Sequence, residues 1–342
     1  MHRSNKRARN YSVEILRLVF MILIVIQHYL VHGLDYASNN FFNANNTSDY
    51  PWHMGLMGIS MLGVTGFMFI SGYYGINFKL ERLKSLWWQA AFYVLILGIA
   101  LYFLSGRFLG FTLLFWLPFG HGGWWYLISY VMIYILSPII NRGVEHLSKS
   151  EFKIVLILLF GFLYIDQFTS FNYGTDLSLL LFIYCLGRYI RKFNTPPILQ
   201  NHLTIVIIVG SCFLFIIPVL LGLVNQSQLL VLFFSNYNPI VLLTSVSIVL
   251  VIVNKRLEKV HPIIVSLLSN TLAIYLITDY RPVRYWIRDT YIKGTDYSIG
   301  EIVLMVILIS IGCLIIEEVR KIMMKGIEKI RIPFLERKNT SI

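Results

Sequence analysis

Charge is what this chain has least of. Asp, Glu, Lys and Arg together make up 13% of its 342 residues, while 57% are hydrophobic. So few charges cannot cover the apolar surface of a water-soluble protein of this length. Cysteine is nearly absent. Cys185, Cys212 and Cys313 each sit in an apolar run, which excludes a disulfide framework and a cysteine metal site and leaves three buried thiols. No small-residue cleavage pattern follows the first apolar stretch, so that stretch reads as a retained span and not a cleaved leader. No internal repeat is visible, and with it goes the inverted symmetry common in secondary transporters.

What is present is apolar length. The windows 86–104 and 203–224 run almost without charge, enough for a helix to cross a hydrocarbon core of roughly 30 Å. Spans are predicted at 11–32, 53–74, 86–105, 124–141, 152–169, 175–190, 203–224, 238–253, 262–280 and 299–317. The connections 33–51, 106–123 and 225–237 read as irregular, re-entrant or interfacial pieces. With the N-terminus in the cytoplasm, ten spans put 23 of the 29 Lys and Arg on the cytoplasmic side, which is the positive-inside rule. The net charge of +12 is therefore topological and does not point to nucleic acid. The expected architecture is an all-α polytopic integral membrane protein of about ten transmembrane helices, with both termini cytoplasmic. A basic N-terminus (1–10) precedes a ten-helix membrane domain (11–317). A basic amphipathic tail (318–342) suits the anionic inner leaflet.

Against that background the segment "EILRLVFMILIVIQH", residues 14–28, is anomalous, because it places Glu14, Arg17 and His28 in a span. On a helix Arg17 and His28 are eleven residues apart, so they share a face with a rise of about 16 Å between them. Glu14, three residues before Arg17, is placed to pair with it. A snorkelling Arg17 neutralised by Glu14, and an interfacial His28, are the structural alternatives. Cost favours function: an unpaired charge in a span costs roughly 2.5–3.5 kcal/mol, so such residues normally face an internal cavity. The expectation is one tunnel, with a fixed cation near its inner end and an imidazole near its outer end. The second span, "GLMGISMLGVTGFMFISGYYGI", combines small residues with Ser71. These residues suit tight helix packing or room for a slender ligand. Lys79, Arg82 and Lys84 follow as a basic turn, either a solvated loop or a seat for an anionic nucleotide.

An Arg, ten residues and a His on the first span resemble the membrane-bound acyltransferase-3 family, O-acyltransferases of cell-surface polysaccharides. "FMFISGYYG" is similar to that family's Phe-Phe-x-x-Ser-Gly-aromatic motif, and "LERLKSLW" occupies its basic turn. "GGWWYLISYVMIYILSPIIN" resembles its Tyr-x-x-Ser-Pro segment, and "TLAIYLITDYRPVR" its penultimate span. The similarity runs in order from residue 11 to about 285. The chain departs from the pattern where many relatives have a penultimate-span His: Thr278 and Asp279 stand there. Glu81 and Ser85 also interrupt the basic turn.

The resemblance implies transfer of an acyl group, most simply acetyl, from cytosolic acetyl-CoA or another acyl-CoA to a hydroxyl of a surface or lipid-linked glycan. The expected setting is the cell membrane, and no metal is implied. In that reading Arg17, Lys79, Arg82 and Lys84 bind the donor. His28, with Arg17, Glu14 and Ser71 around it, carries the chemistry, by general base or by a transient acyl-enzyme on His28 or Ser71. Trp124, Trp125, Tyr126 and Asp279 are the expected acceptor contacts, although an aromatic belt would also place Trp and Tyr there. Asp279 could instead orient His28 or pair with Arg281 or Arg284. A transporter or flippase, and a glycan polymerase or ligase, are the rival functions.

Overall fold

In the computed structural model, residues 10–34, 49–105, 124–169, 175–195, 197–224, 229–230, 233–255, 257–292 and 297–339 are described. Among these residues the fold is entirely helical, without a strand. The helices are α1 (Tyr11–His28), α2 (Tyr50–Ser60), α3 (Leu62–Tyr74), α4 (Leu80–Ser105), α5 (Trp125–His146), α6 (Lys149–Thr169) and α7 (Thr175–Phe193). They continue with α8 (Pro197–Leu223), α9 (Pro239–Asn254), α10 (Pro262–Leu268), α11 (Thr271–Thr278), α12 (Arg281–Ile287) and α13 (Ile299–Asn339). Six stretches among the described residues are long and apolar enough to cross a membrane: 11–33, 50–74, 80–104, 125–146, 197–223 and 299–324. The chain is a helical membrane protein.

One predicted span is broken and another carries a turn. The stretch 53–74 turns at Met61, between α2 and α3, with the backbone still in the right-handed helical region, and stays one membrane-long stretch. The stretch 262–280 splits at Ser269 and Asn270, between α10 and α11. Asn270 is fully buried there, and its side-chain amide donates to Glu318 on α13 at 2.7 Å. That polar partner supports a break that hydropathy alone does not reveal.

The first helix starts on a capped end: the Asn10 side chain accepts from the Ser12 N–H at 3.1 Å, satisfying an N–H that no helical carbonyl can reach. It is central to the bundle, with α2, α3, α9, α10, α11 and α13 packed around it. Beyond His28 it widens into a π-helical turn, Tyr29–Gly33. The end of the bundle where α1 begins is called the near end below, and the end at His28 the far end.

Small residues let the helices approach closely. A Cβ on Gly187 of α7 would lie 2.6 Å from the Tyr73 backbone nitrogen and 2.9 Å from the Phe69 carbonyl of α3. One on Gly63 would lie 2.7 Å from the Phe20 carbonyl of α1. The glycines of α2 and α3 therefore serve packing and do not line a channel. Gly187→Ala is expected to force α3 and α7 apart and to cost about 1–3 kcal/mol, read as a lower unfolding temperature of the purified protein in detergent.

The Ser-Pro of α5 has a local reason. Pro138 cannot donate to the carbonyl of Tyr134 four residues back, and the Ser137 hydroxyl donates to that carbonyl instead, at 2.8 Å. The helix continues through its proline to His146.

Candidate functional site

Two cavities flank α1. The larger, about 450 Å³, is in the size range of small-molecule sites. Its wall includes Glu14, Arg17, Ser71, Asn77, Arg82 and Tyr130. Arg17 Nη1 donates to Glu14 Oε1 at 3.0 Å, the pair that the three-residue spacing predicts. The guanidinium remains 28% exposed and faces the cavity, not lipid. Ser71 Oγ donates to the Phe67 carbonyl at 3.3 Å, and no hydrogen bond joins it to His28 among the described residues.

The turn after α3 is held from two helices, α5 and α7. Gly75 adopts φ +75°, a conformation that favours glycine, and the Arg188 guanidinium packs against it. The Ile76 N–H donates to the Tyr184 hydroxyl at 3.0 Å, and the Asn141 amide donates to the Ile76 carbonyl at 2.9 Å. Tyr184 in turn donates to Asn141 Oδ1 at 2.8 Å. The Lys79 N–H donates to the Tyr134 hydroxyl at 2.9 Å, and that hydroxyl donates back to the Lys79 carbonyl at 3.1 Å. Tyr134 of the Tyr-x-x-Ser-Pro segment thus fixes the basic turn at the cavity rim. Arg82 lines the cavity and Lys79 is exposed beside it. Lys84 is elsewhere. It pairs with Glu81 at 3.1 Å and lines a separate apolar groove between α4 and α5, with Trp87 and Trp88.

The smaller cavity, about 40 Å³ at the far end, is lined by His28, His32, Thr278 and Arg284 among others. It has room for about three waters and not for a sugar ring. His28 Nε2 lies 3.5 Å from Asp279 Oδ1, and Arg284 Nη1 lies 3.1 Å from the same oxygen. Asp279 is only 1% exposed. A buried carboxylate without a counter-charge is strongly disfavoured, and Arg284 supplies that charge. Of the two arginines considered for it, Arg284 is the partner; Arg281 donates to the Tyr285 hydroxyl at 3.2 Å. His28 Nδ1 is buried and has no hydrogen-bond partner among the described residues. The π-helical turn carries the His32 ring to 6.0 Å from the His28 ring.

The structure corrects the expectation of one open tunnel, because the two cavities share no wall residue. Aromatic side chains stand between them. Tyr126, in the wall of the larger cavity, meets Tyr275 edge-on with ring centroids 6.0 Å apart, and the Tyr275 ring is 6.1 Å from His28. The expected acceptor contacts are placed differently from one another. Tyr126 turns into the larger cavity. Trp124 is buried with its ring 5.7 Å from Tyr280, and Trp125 packs edge-on against Tyr126.

Sequence reasoning missed Tyr275, Tyr134, Tyr184 and Arg188. A tyrosine in an apolar helix carries no sign of its partner, and only Tyr134 had a signal, through its Ser-Pro neighbours. Among the described residues no cluster of His, Cys, Asp or Glu could hold a metal ion. The model of the acyltransferase-3 family, an acyltransferase domain, matches residues 10–318. No curated protein and no solved structure matches the chain.

Proposed function

The chain belongs to the acyltransferase-3 family, and we propose that this membrane acyltransferase moves an acetyl group from cytosolic acetyl-CoA to a hydroxyl of a surface or lipid-linked glycan. The near end would face the cytosol and the far end the outside of the cell membrane. One observation carries this reading. A polar cavity with Arg17 in its wall and an imidazole with one unpartnered nitrogen flank the same helix, with the Tyr126 and Tyr275 rings linking the one to the other.

In this mechanism the phosphates of the donor meet Lys79 and Arg82, held in place by the tyrosine-anchored turn, while Arg17 guides the acyl-bearing arm inward. With Nε2–H directed at Asp279, Nδ1 of His28 carries the lone pair and acts as the base. The acceptor hydroxyl oxygen bonds to the thioester carbon, its proton passes to His28, and the carbonyl π pair moves onto oxygen. Collapse restores the carbonyl and breaks the C–S bond, and the CoA sulfur leaves with the proton from His28. Direct transfer is favoured over a Ser71 acyl-enzyme, because the Ser71 hydroxyl is turned to its own helix at Phe67. The far cavity must widen to admit a sugar.

Arg17→Ala is expected to raise the KM for acetyl-CoA by about tenfold or more, the loss of a charge-assisted contact. Arg17→Lys should recover only part of it, since an ammonium lacks the planar fork. Steady-state transfer of labelled acetyl at varied acetyl-CoA checks this, and an unchanged KM in both variants would remove Arg17 from donor binding.

A further inference from the structure

Four cations at the near end, Lys79, Arg82, Arg188 and Arg191, have no carboxylate partner among the described residues. Glu14 is taken by Arg17 and Glu81 by Lys84. Lys79 and Arg82 follow α3, whereas Arg188 and Arg191 are three residues apart in the last turns of α7, on one side of it. The positive-inside rule accounts for cations at this end. It does not account for how Arg188 is held.

A cation that only marks topology keeps its charged group in water, yet Arg188 Nε is buried without a hydrogen-bond partner among the described residues. A buried donor left unpaired costs free energy, so its placement calls for an acceptor. The guanidinium stands against the turn after α3: Nη1 lies 2.7 Å from the point where a Cβ on Gly75 would sit. Gly75 is itself in the wall of the larger cavity. Arg191 reaches the same wall through aromatic rings. Its Nη1 donates to the Tyr73 hydroxyl at 3.2 Å, with the guanidinium 5.1 Å from the Tyr73 ring centre. Tyr73 meets Tyr74 edge-on at 5.5 Å, and Tyr74 lines the cavity.

Two basic seats therefore flank one short turn, Arg188 and Arg191 at its Tyr74–Gly75 end and Lys79 and Arg82 at its other end. Separate seats suit a ligand with separate phosphate groups. Acyl-CoA is such a ligand, because its ribose 3′-phosphate stands apart from the diphosphate that carries the pantetheine arm. A phosphate monoester also offers paired oxygens to a planar guanidinium fork.

We infer that Arg188, with Arg191 beside it, binds the 3′-phosphate of the donor, apart from the diphosphate at Lys79 and Arg82. This rests on the acetyl-CoA reading above and sharpens it. The chain would take free acyl-CoA and discriminate against acyl donors without that phosphate, a pantetheine arm on a carrier protein included.

The test measures binding of CoA and of dephospho-CoA, which lacks only the 3′-phosphate, to the detergent-purified full chain by calorimetry. Wild type is expected to bind CoA about tenfold or more tighter than dephospho-CoA, the loss of a charge-assisted contact. Arg188→Gln should bring the two to within about threefold by weakening CoA alone, and Arg188→Lys should fall between. Arg17→Ala should instead weaken both nucleotides by the same factor. In transfer assays the same preference is expected in the KM for acetyl-CoA over acetyl-dephospho-CoA, with kcat unchanged. Equal affinity of wild type for the two nucleotides would overturn the inference, and it is the result expected of an anionic lipid headgroup at Arg188. Wild-type discrimination kept by both Arg188 variants would overturn it as well, while leaving the acetyl-CoA reading in place. Wild type that binds neither nucleotide would overturn that reading and this inference with it, so the two failures are separable.

Discussion

Replacing His28 with alanine is expected to abolish acetyl transfer while the protein still inserts and folds. The imidazole lines the far cavity, and its Nδ1 has no partner among the described residues, which leaves that nitrogen free to accept the acceptor proton. Loss of a positioned base costs about 10²–10⁴-fold, and displacement of an unactivated hydroxyl on a thioester would leave little above background. The fold should tolerate the change. His28 makes no hydrogen bond that holds a helix end, and Asp279 keeps Arg284 at 3.1 Å as its counter-charge. Incorporation of labelled acetyl into glycan, set against the gel-filtration profile of the detergent-purified variant, separates lost chemistry from lost folding.

The second large effect is expected at Asp279. Asp279→Asn keeps the shape and removes the negative charge 3.5 Å from His28 Nε2, the charge that directs the Nε2–H in the proposed mechanism. An amide offers either a carbonyl or an N–H to the ring, so His28 is free to turn over and present the protonated nitrogen to the acceptor. Loss of the orienting carboxylate from a His–Asp pair lowers turnover by up to about 10⁴-fold. The expected result is a fall of at least about 10²-fold in kcat with the KM for acetyl-CoA unchanged, because the proposed donor site is at Arg17 and the basic turn. A matching rise in KM would mean that Asp279 supports the donor cavity and not His28. Arg284, left without its carboxylate, makes this variant less stable than His28→Ala.

How far these residues were legible in the sequence depended on whether their partner lies on the same helix. Glu14 and Arg17 are three apart on α1, so helical spacing alone put them together. Asp279 was visible because a carboxylate in an apolar stretch demands a counter-charge, yet spacing left Arg281, Arg284 and His28 all open. The bundle settles that choice in favour of Arg284 and His28. Tyr275 was not legible. In "TLAIYLIT" it looks like any core aromatic, and its place between Tyr126 and His28 depends on α5, some 150 residues earlier in the chain. The turn at Met61 and the break at Asn270 were hidden for a related reason. Hydropathy sums over a window and registers no interruption when the residues at the break are themselves apolar or are satisfied from another helix, as Asn270 is by Glu318. The single tunnel was the expectation that failed. Facing the same way along α1 put Arg17 and His28 on one line, but whether the space between them is open depends on Tyr126 and Tyr275, which come from other helices.

The most direct measurement follows an acetyl group from one end of the bundle to the other. Inside-out membrane vesicles containing the full chain receive labelled acetyl-CoA only in the external medium, which the proposed orientation puts at the near end. The expected result is ester-linked label on glycan inside the vesicles, present with wild-type protein and absent with His28→Ala. Label confined to the medium, or equal labelling of glycan by both proteins, would contradict transfer from the Arg17 cavity to an acceptor at His28.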